Sequence, residues 1–493
     1  MPKLRSQKRR SNKGPRNRWL ILSLVALAQF VVVLDATIVN VALPSMQKAL
    51  SISPENLQWV VTAYTLAFGG FLLLGGRVGD LIGRKKTFVA GTAAFSLASL
   101  AVGLSANESI VIIARGIQGL AAAFMSPAAL GIVLASFKEG AERNKALSIW
   151  GGISSGGAAA GLLLGGVLTQ YLSWRWNFFV NVPVGLLAAF LALRIIPESK
   201  GNLGHFHFDI PGGLTVTSGL MLLVFALTKV PEYGWTAGRT LIMLGAAVAL
   251  LIAFLINEAK SKHPLMPLSI FTTKNIGRAN LVMFPITAGM FAVFFFLTLY
   301  VQNVLGFDPL KTGFAFVPIA IVIGIVAGIA SNVVTKVGYK PFMVAGPLLI
   351  AAGMFWLSGL PVDGSYWKDI LPALVTFAVG MGFSFIGGTI AATNGVPAKD
   401  SGLASGLLNT TQQVGGAVGL AVLSVVSTAA TKDYFKDILG QPTPLQQVTG
   451  LVEGFHAAFL VAVGLCVAAS VIAFLFIRQR KGEKVEVEMV PGA

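Results

Sequence analysis

The chain has 493 residues, 55% of them hydrophobic and 12% charged, with 56 glycines, one cysteine and a formal net charge of +17. A mean hydropathy of +0.77 excludes an ordinary water-soluble protein, and a single cysteine, Cys466, excludes an intrachain disulfide framework and leaves a thiol catalyst without a partner. The positive charge would suit a nucleic-acid binder only if it formed one basic face; it recurs instead in alternate loops between apolar segments, so nucleic acid is not an expected partner.

Fourteen apolar segments are each close to the roughly 20 residues that cross a hydrocarbon core of about 30 Å as a helix. None alternates as a barrel strand does, and within lipid a helix satisfies its own backbone. The expectation is an all-α, multi-pass membrane protein. Residues 1–18 form a basic tail carrying Lys3, Arg5, Lys8, Arg9, Arg10, Lys13, Arg16 and Arg18, suited to an anionic leaflet at about 1 kcal/mol per charge. The first segment, from about Trp19 to Pro44, is too long for a cleaved signal peptide and carries Asp35 and Asn40. A glycine-and-charge loop follows the second segment: Gly76, Asp80, Gly83, Arg84, Lys85 and Lys86. The fourth segment contains Arg115 and Gln118, three apart and so on one helical face. Arg143 lies in the loop before the fifth segment, where Gly157, Gly161 and Gly165 recur every fourth residue beside Gly166. That spacing allows close helix approach.

An internal repeat divides the chain. Gly76 to Lys86 is echoed by Ser331 to Pro341, which pairs Gly83 with Gly338, and the same offset carries Gly161 onto Gly416. Two parallel six-helix halves are implied, covering residues 19–196 and 278–477. The linker between them, 197–277, is long enough to hold one further hairpin, near Pro211 to Thr228 and Arg239 to Asn257. Long loops are expected from Asn257 to Arg278 and from Thr431 to Gly454, a last helix from about Phe455 to Ile477, and a short disordered charged tail over 478–493. The large majority of the 37 lysines and arginines fall on the side that bears the termini, so both termini are expected in the cytoplasm.

Ionisable side chains inside a bilayer cost roughly 2.5 to 3.5 kcal/mol each and mark ion or substrate paths. Asp35 is the one acid expected deep within a helix, and Arg115 the one comparable base. Burial favours the neutral form of Asp35 and a neighbouring guanidinium favours its anion, so a conformational change that alters either balance can load or release a proton. A static pair that only joins two helices is the alternative. Asn409, Gln412 and Gln413 on the thirteenth segment, with Gln118, Phe291 and Phe295, are candidates for a cavity holding flat lipophilic molecules, cations included. His205, His207 and Asp209 lack the further ligands of a metal site. No P-loop is present, so no ATP hydrolysis is expected. Two ionisable groups at one depth are too few for an enzyme site; no metal and no cofactor is expected.

The glycine-and-charge loop Gly76-x-x-x-Asp80-x-x-Gly83-Arg84-Lys85 within a repeated six-helix plan resembles the signature of the major facilitator superfamily. Leu34-Asp35-x-Thr37-x-x-Asn40-x-x-Leu43-Pro44, Trp174-Arg175-Trp176-x-Phe-x-x-Asn181-x-Pro183-x-Gly185 and Phe208-Asp209-x-x-Gly212 are similar to motifs of its fourteen-helix drug/proton antiporters. The resemblance runs from Trp19 to Arg478. It implies the major facilitator fold with two extra helices between the halves, a plasma-membrane location, and export of lipophilic, often cationic compounds driven by the proton gradient. It also implies proton coupling at Asp35 and Arg115, and a conformational gate at Gly76, Asp80, Gly83 and Arg84 in which Arg143 partners Asp80. Expected partners are small molecules, protons and membrane lipids, with the protein acting as a monomer. Leu162 stands where the family's fifth-helix motif has proline. The other reading is a dedicated exporter of one endogenous metabolite, antibiotic or lipid.

Overall fold

The computed structural model of the chain describes residues 17–137, 140–198, 209–262, 264–273, 275–396, 401–436, 438 and 440–479. The basic tail before Asn17, His205, His207 and the chain after Gln479 lie outside the described residues. Within them there is no strand, and fourteen helices are long and apolar enough to cross a membrane. Their main helices are α1 (Arg18–Leu50), α2 (Trp59–Ile82), α3 (Arg84–Gly103), α4 (Glu108–Ser136), α5 (Ala141–Tyr171), α6 (Asn181–Ile195, whose membrane span starts at Trp176), α7 (Ile210–Tyr233) and α8 (Gly238–Lys260). They continue with α9 (Ile276–Leu299), α10 (Pro309–Val337), α11 (Lys340–Leu357), α12 (Leu371–Thr393), α13 (Ser401–Lys436) and α14 (Pro444–Phe476). The protein is a multi-pass membrane protein.

Side-chain caps set several helix starts. Asn107 accepts the Ile110 amide at 3.0 Å, and Asp308 accepts that of Lys311 at 2.7 Å. Gly83 and Gly338, the repeat-related pair, end α2 and α10 with φ of 112° and 82°, conformations that a side chain disfavours. Two expected boundaries move. Pro44 does not end α1, which runs on to Leu50; neighbouring helices compensate the freed backbone groups in a membrane bundle. The loop expected from Thr431 to Gly454 is mostly helix. α13 reaches Lys436, and α14 starts at Pro444, where proline at the first helical position follows a Thr443–Gln446 capping box.

The first half has a core around Phe88, Phe95, Trp150 and Val25, and the second a core around Phe296, Phe377, Phe459 and Met354. The halves meet along two seams. On one, Leu66 of α2 packs with Ala417 and Ala421 of α13, and Gly69 lies against Gln413. On the other, Gly166 of α5 lies against the Pro309 carbonyl and Gly313 of α10 against that of Leu162. The inserted pair is asymmetric: α7 packs on α2 and α13, whereas α8 packs mainly on α7 and presents Leu241, Ile242, Ile252 and Leu255 outward.

Candidate functional site

A buried network joins α1, α2, α3, α4 and α6. Asp35 and Arg115 are both 0% exposed, and Arg115 Nη1 meets Asp35 Oδ2 at 2.5 Å. Asp35 Oδ1 accepts from Gln118 Nε2 and from Asn181 Nδ2, each at 2.8 Å. Arg115 Nη1 also donates to Gln118 Oε1 at 2.8 Å, and its Nε to the Val60 carbonyl at 2.9 Å. Arg115 Nη2 has no hydrogen-bond partner among the described residues; the guanidinium carbon lies 4.3 Å from the centre of the Tyr64 ring, a cation–π contact that partly compensates. Asn181 donates onward to Ser99 Oγ at 3.1 Å, and Ser99 to the Phe178 carbonyl at 2.9 Å. A buried ion pair is tolerated only when further hydrogen bonds satisfy both charges, and this carboxylate takes three donors.

Glycines bring the elements that close. A Cβ on Gly119 would sit 2.1 Å from the Tyr64 carbonyl oxygen, so α4 and α2 touch by backbone and Arg115, one turn earlier, reaches Val60. Gly157, Gly161 and Gly165 face α1: Cβ atoms there would meet the Phe30 carbonyl at 3.2 Å, Thr37 Oγ1 at 2.0 Å and the Ile38 carbonyl at 2.9 Å. Gly166 faces the second half instead. Leu162, 3% exposed, leaves α5 continuous through the position of the family proline. Asn181 is delivered by a helical turn, Trp176–Phe179, that precedes α6. Arg175 stacks on Trp174 at 4.4 Å and donates to the Ser105 carbonyl at 2.9 Å, which anchors that turn.

At the end of α2, Arg84 donates to Asp80 from Nε at 3.0 Å and from Nη2 at 2.8 Å, and its Nη1 reaches the Gly131 carbonyl at 2.8 Å. Arg84 thus straps α2 to α4. Gly76 lies 3.7 Å, by its absent Cβ, from Pro127 of α4. Arg143 is half-buried in the first turn of α5. On α13, Asn409 and Gln413 are half-buried and Gln412 is buried with Nε2 unpartnered among the described residues, as is Thr410 Oγ1. Phe291 is half-buried and packs on Gly416. Phe295, 3% exposed, meets Phe296 edge-on at 5.3 Å inside the second half's core. Most of the aromatic row of α9 therefore packs that half; Phe294 meets Phe316, and Phe296 meets Phe455 and Phe459. Ser99 and Tyr64 were not read from the sequence as neighbours of Asp35, since a serine or tyrosine in an apolar helix carries no pairing signal.

The site is thus one buried ion pair within a bundle of membrane-crossing helices. The family model described as Major Facilitator Superfamily matches residues 25–420, and the chain belongs to that family. It is 40% identical to the puromycin resistance protein pur8 of Streptomyces alboniger over 94% of this chain and 92% of that one. It is 38% identical to the cephamycin export protein CmcT of Amycolatopsis lactamdurans, over 90% of each. Multidrug resistance protein Stp of Mycobacterium tuberculosis H37Rv is 33% identical, over 84% of this chain and 77% of that one. Among solved structures, an inward-facing bacterial homologue of the lysosomal transporter Spinster superposes with a TM-score of 0.67 at 15% identity, covering 93% and 96% of the two chains. The inward-open xylose transporter XylE of E. coli gives 0.60 at 15%, covering 95% and 98%; both likenesses concern the fold alone.

Proposed function

We propose that this protein exports lipophilic, often cationic, drugs or toxic compounds across the plasma membrane in exchange for protons, as a monomer with both termini in the cytoplasm. The observation that carries the reading is the Asp35 network: one carboxylate, fully buried, held by Arg115, Gln118 and Asn181 from two other helices. Moving either helix removes a donor, which shifts the balance between anion and acid. Alternating access between the halves supplies that motion, with Asp80, Arg84, Gly76, Gly83 and Arg143 at the gate. The unpartnered amide of Gln412, with Asn409 and Gln413 on the same helix and Phe291 on the facing helix, is the proposed cargo side, Phe295 being packed into the core behind it; no cofactor other than the proton gradient is required. Relatives named for resistance to puromycin and to multiple drugs support export.

In proteoliposomes with an imposed pH gradient, the wild type should concentrate a fluorescent lipophilic cation. Asp35→Asn should bind the cation but fail to concentrate it. Uphill transport by Asp35→Asn at the wild-type rate would overturn the coupling assignment. The second reading, a dedicated exporter of one endogenous product, is favoured by the relative named for cephamycin export. A panel of unrelated cations separates the two: broad competition supports the first, and indifference to all but one chemical class the second.

A further inference from the structure

Apart from Asp35, the described residues include two other buried acids, Asp209 at 7% and Glu258 at 3% exposure, and these two meet. Asp209 caps α7, with Oδ1 accepting the Gly212 amide at 2.9 Å, and both its oxygens accept from Asn257 Nδ2 of α8 at 2.7 and 2.8 Å. Glu258 Oε2 accepts the Met266 amide at 2.9 Å, while its Oε1 has no hydrogen-bond partner among the described residues. That orphan oxygen is aimed at Asp209. A Cβ on Gly212 would lie 2.9 Å from Glu258 Oε1 and 2.8 Å from Asp209 Oδ2, so the two carboxyl groups converge on one point beside Gly212.

Two carboxylates offer only acceptors, so they cannot bond to each other while both are ionised. Among the described residues no cation pairs with either acid. Arg77 of α2 donates to the Pro264 carbonyl at 3.3 Å, and among the described residues neither Lys260 of α8 nor Lys262 of the connector pairs with either acid. The facing part of α13 presents apolar Ala404 and Leu407. His263 belongs to the same connector but lies outside the described residues.

The geometry points to a second protonation site, separate from Asp35: one proton taken from water resides on Glu258 Oε1 and is donated to Asp209 Oδ2. The site fastens the strap between α8 and α9. Glu258 grips this strap by the Met266 amide, and Met266 and Ile270 pack with Ile276, Ala404 and Leu407 against Leu73 of α2. The strap therefore lies across a seam between the two halves. Loss of the proton leaves two buried like charges side by side and loosens the strap. Nothing in this depends on the cargo.

The full-length protein in lipid nanodiscs, without cargo, provides the test. Amide exchange over 264–273, corrected for the intrinsic pH dependence, should lose at least tenfold in protection as pH is raised. Glu258→Gln supplies a permanent donor to Asp209 and should keep that protection at every pH, whereas Asp35→Asn and His263→Gln should retain the wild-type transition. Infrared difference spectra give a second reading: Asp35→Asn should still show the C=O band of a protonated carboxyl, and adding Glu258→Gln should remove it. If Glu258→Gln does not fold, Asp209→Asn takes its place in both measurements. A transition that survives Glu258→Gln or disappears in His263→Gln would overturn the proposal, as would absence of the band in Asp35→Asn.

Discussion

Arg115 is placed where no water can relieve it, so its worth is set entirely by what surrounds it. Its partners are not interchangeable: Asp35 supplies charge, Val60 a carbonyl, and Tyr64 a ring face. Removing one member of a buried pair strands the other, at roughly 3–5 kcal/mol, whereas a single hydrogen bond to a charged group contributes about 1.5–3 kcal/mol. Unfolding of the detergent-solubilised protein should rank Arg115→Ala as more destabilising than Asn181→Ala. The double variant Asp35→Asn/Arg115→Ala should be less destabilised than the two singles added together; strict additivity would mean that the two charges do not interact. The sequence exposed Asp35, Arg115 and Gln118 because each is polar inside an apolar run. It did not expose Glu258, two positions from the end of α8, because an acid near a helix end ordinarily reaches water; only the strap folding back over it seals it in. Nor did it pair Asn181 with Asp35, since that contact depends on how the turn before α6 is aimed.

Helix contacts in this protein are made by absent side chains. Each glycine of α5 that faces α1 lets a carbonyl or hydroxyl approach into the space of a missing Cβ. Gly161→Ala would put a methyl carbon 2.0 Å from Thr37 Oγ1 and 2.9 Å from the Leu34 carbonyl oxygen, and the backbone atom cannot rotate away. Overpacking of this kind costs about 1–3 kcal/mol and shifts α1, which carries Asp35. Gly156 on the same helix meets nothing within 4 Å, so Gly156→Ala should be neutral or slightly stabilising, by roughly 0.5–1 kcal/mol. Thermal unfolding and transport measured together should show loss of both in Gly161→Ala and of neither in Gly156→Ala; equal behaviour of the two would remove the packing argument. Spacing alone revealed the face that packs, and apolar length revealed the fourteen helices. Their ends were less legible: Pro44 and Pro444 look alike in sequence, yet one lies inside a helix and the other starts one, a difference set by the neighbouring helices and by the Thr443–Gln446 cap.

At the scale of the whole molecule, charge balance decides which gradient can drive transport. The proton assigned to Asp209 and Glu258 sits at the terminus-bearing ends of α7 and α8, where only one aqueous phase is in reach, so it does not cross. On the proposed exchange mechanism, Asp35 is then the single carrier of protons. Exchange of one proton for one monovalent cation moves no net charge, and such transport should follow the pH gradient while ignoring membrane potential. A neutral compound exchanged for one proton moves one charge, worth about 2.3 kcal/mol per 100 mV, or roughly 50-fold in accumulation. A dication meets a site with one negative charge to offer and should be carried poorly. A potassium-diffusion potential imposed on proteoliposomes without a pH gradient distinguishes these cases: the neutral compound should move and the monovalent cation should not. Strong potential-driven transport of a monovalent cation, or efficient transport of a dication, would require a second carboxylate that crosses with Asp35, and the described helices bury no other acid at that depth.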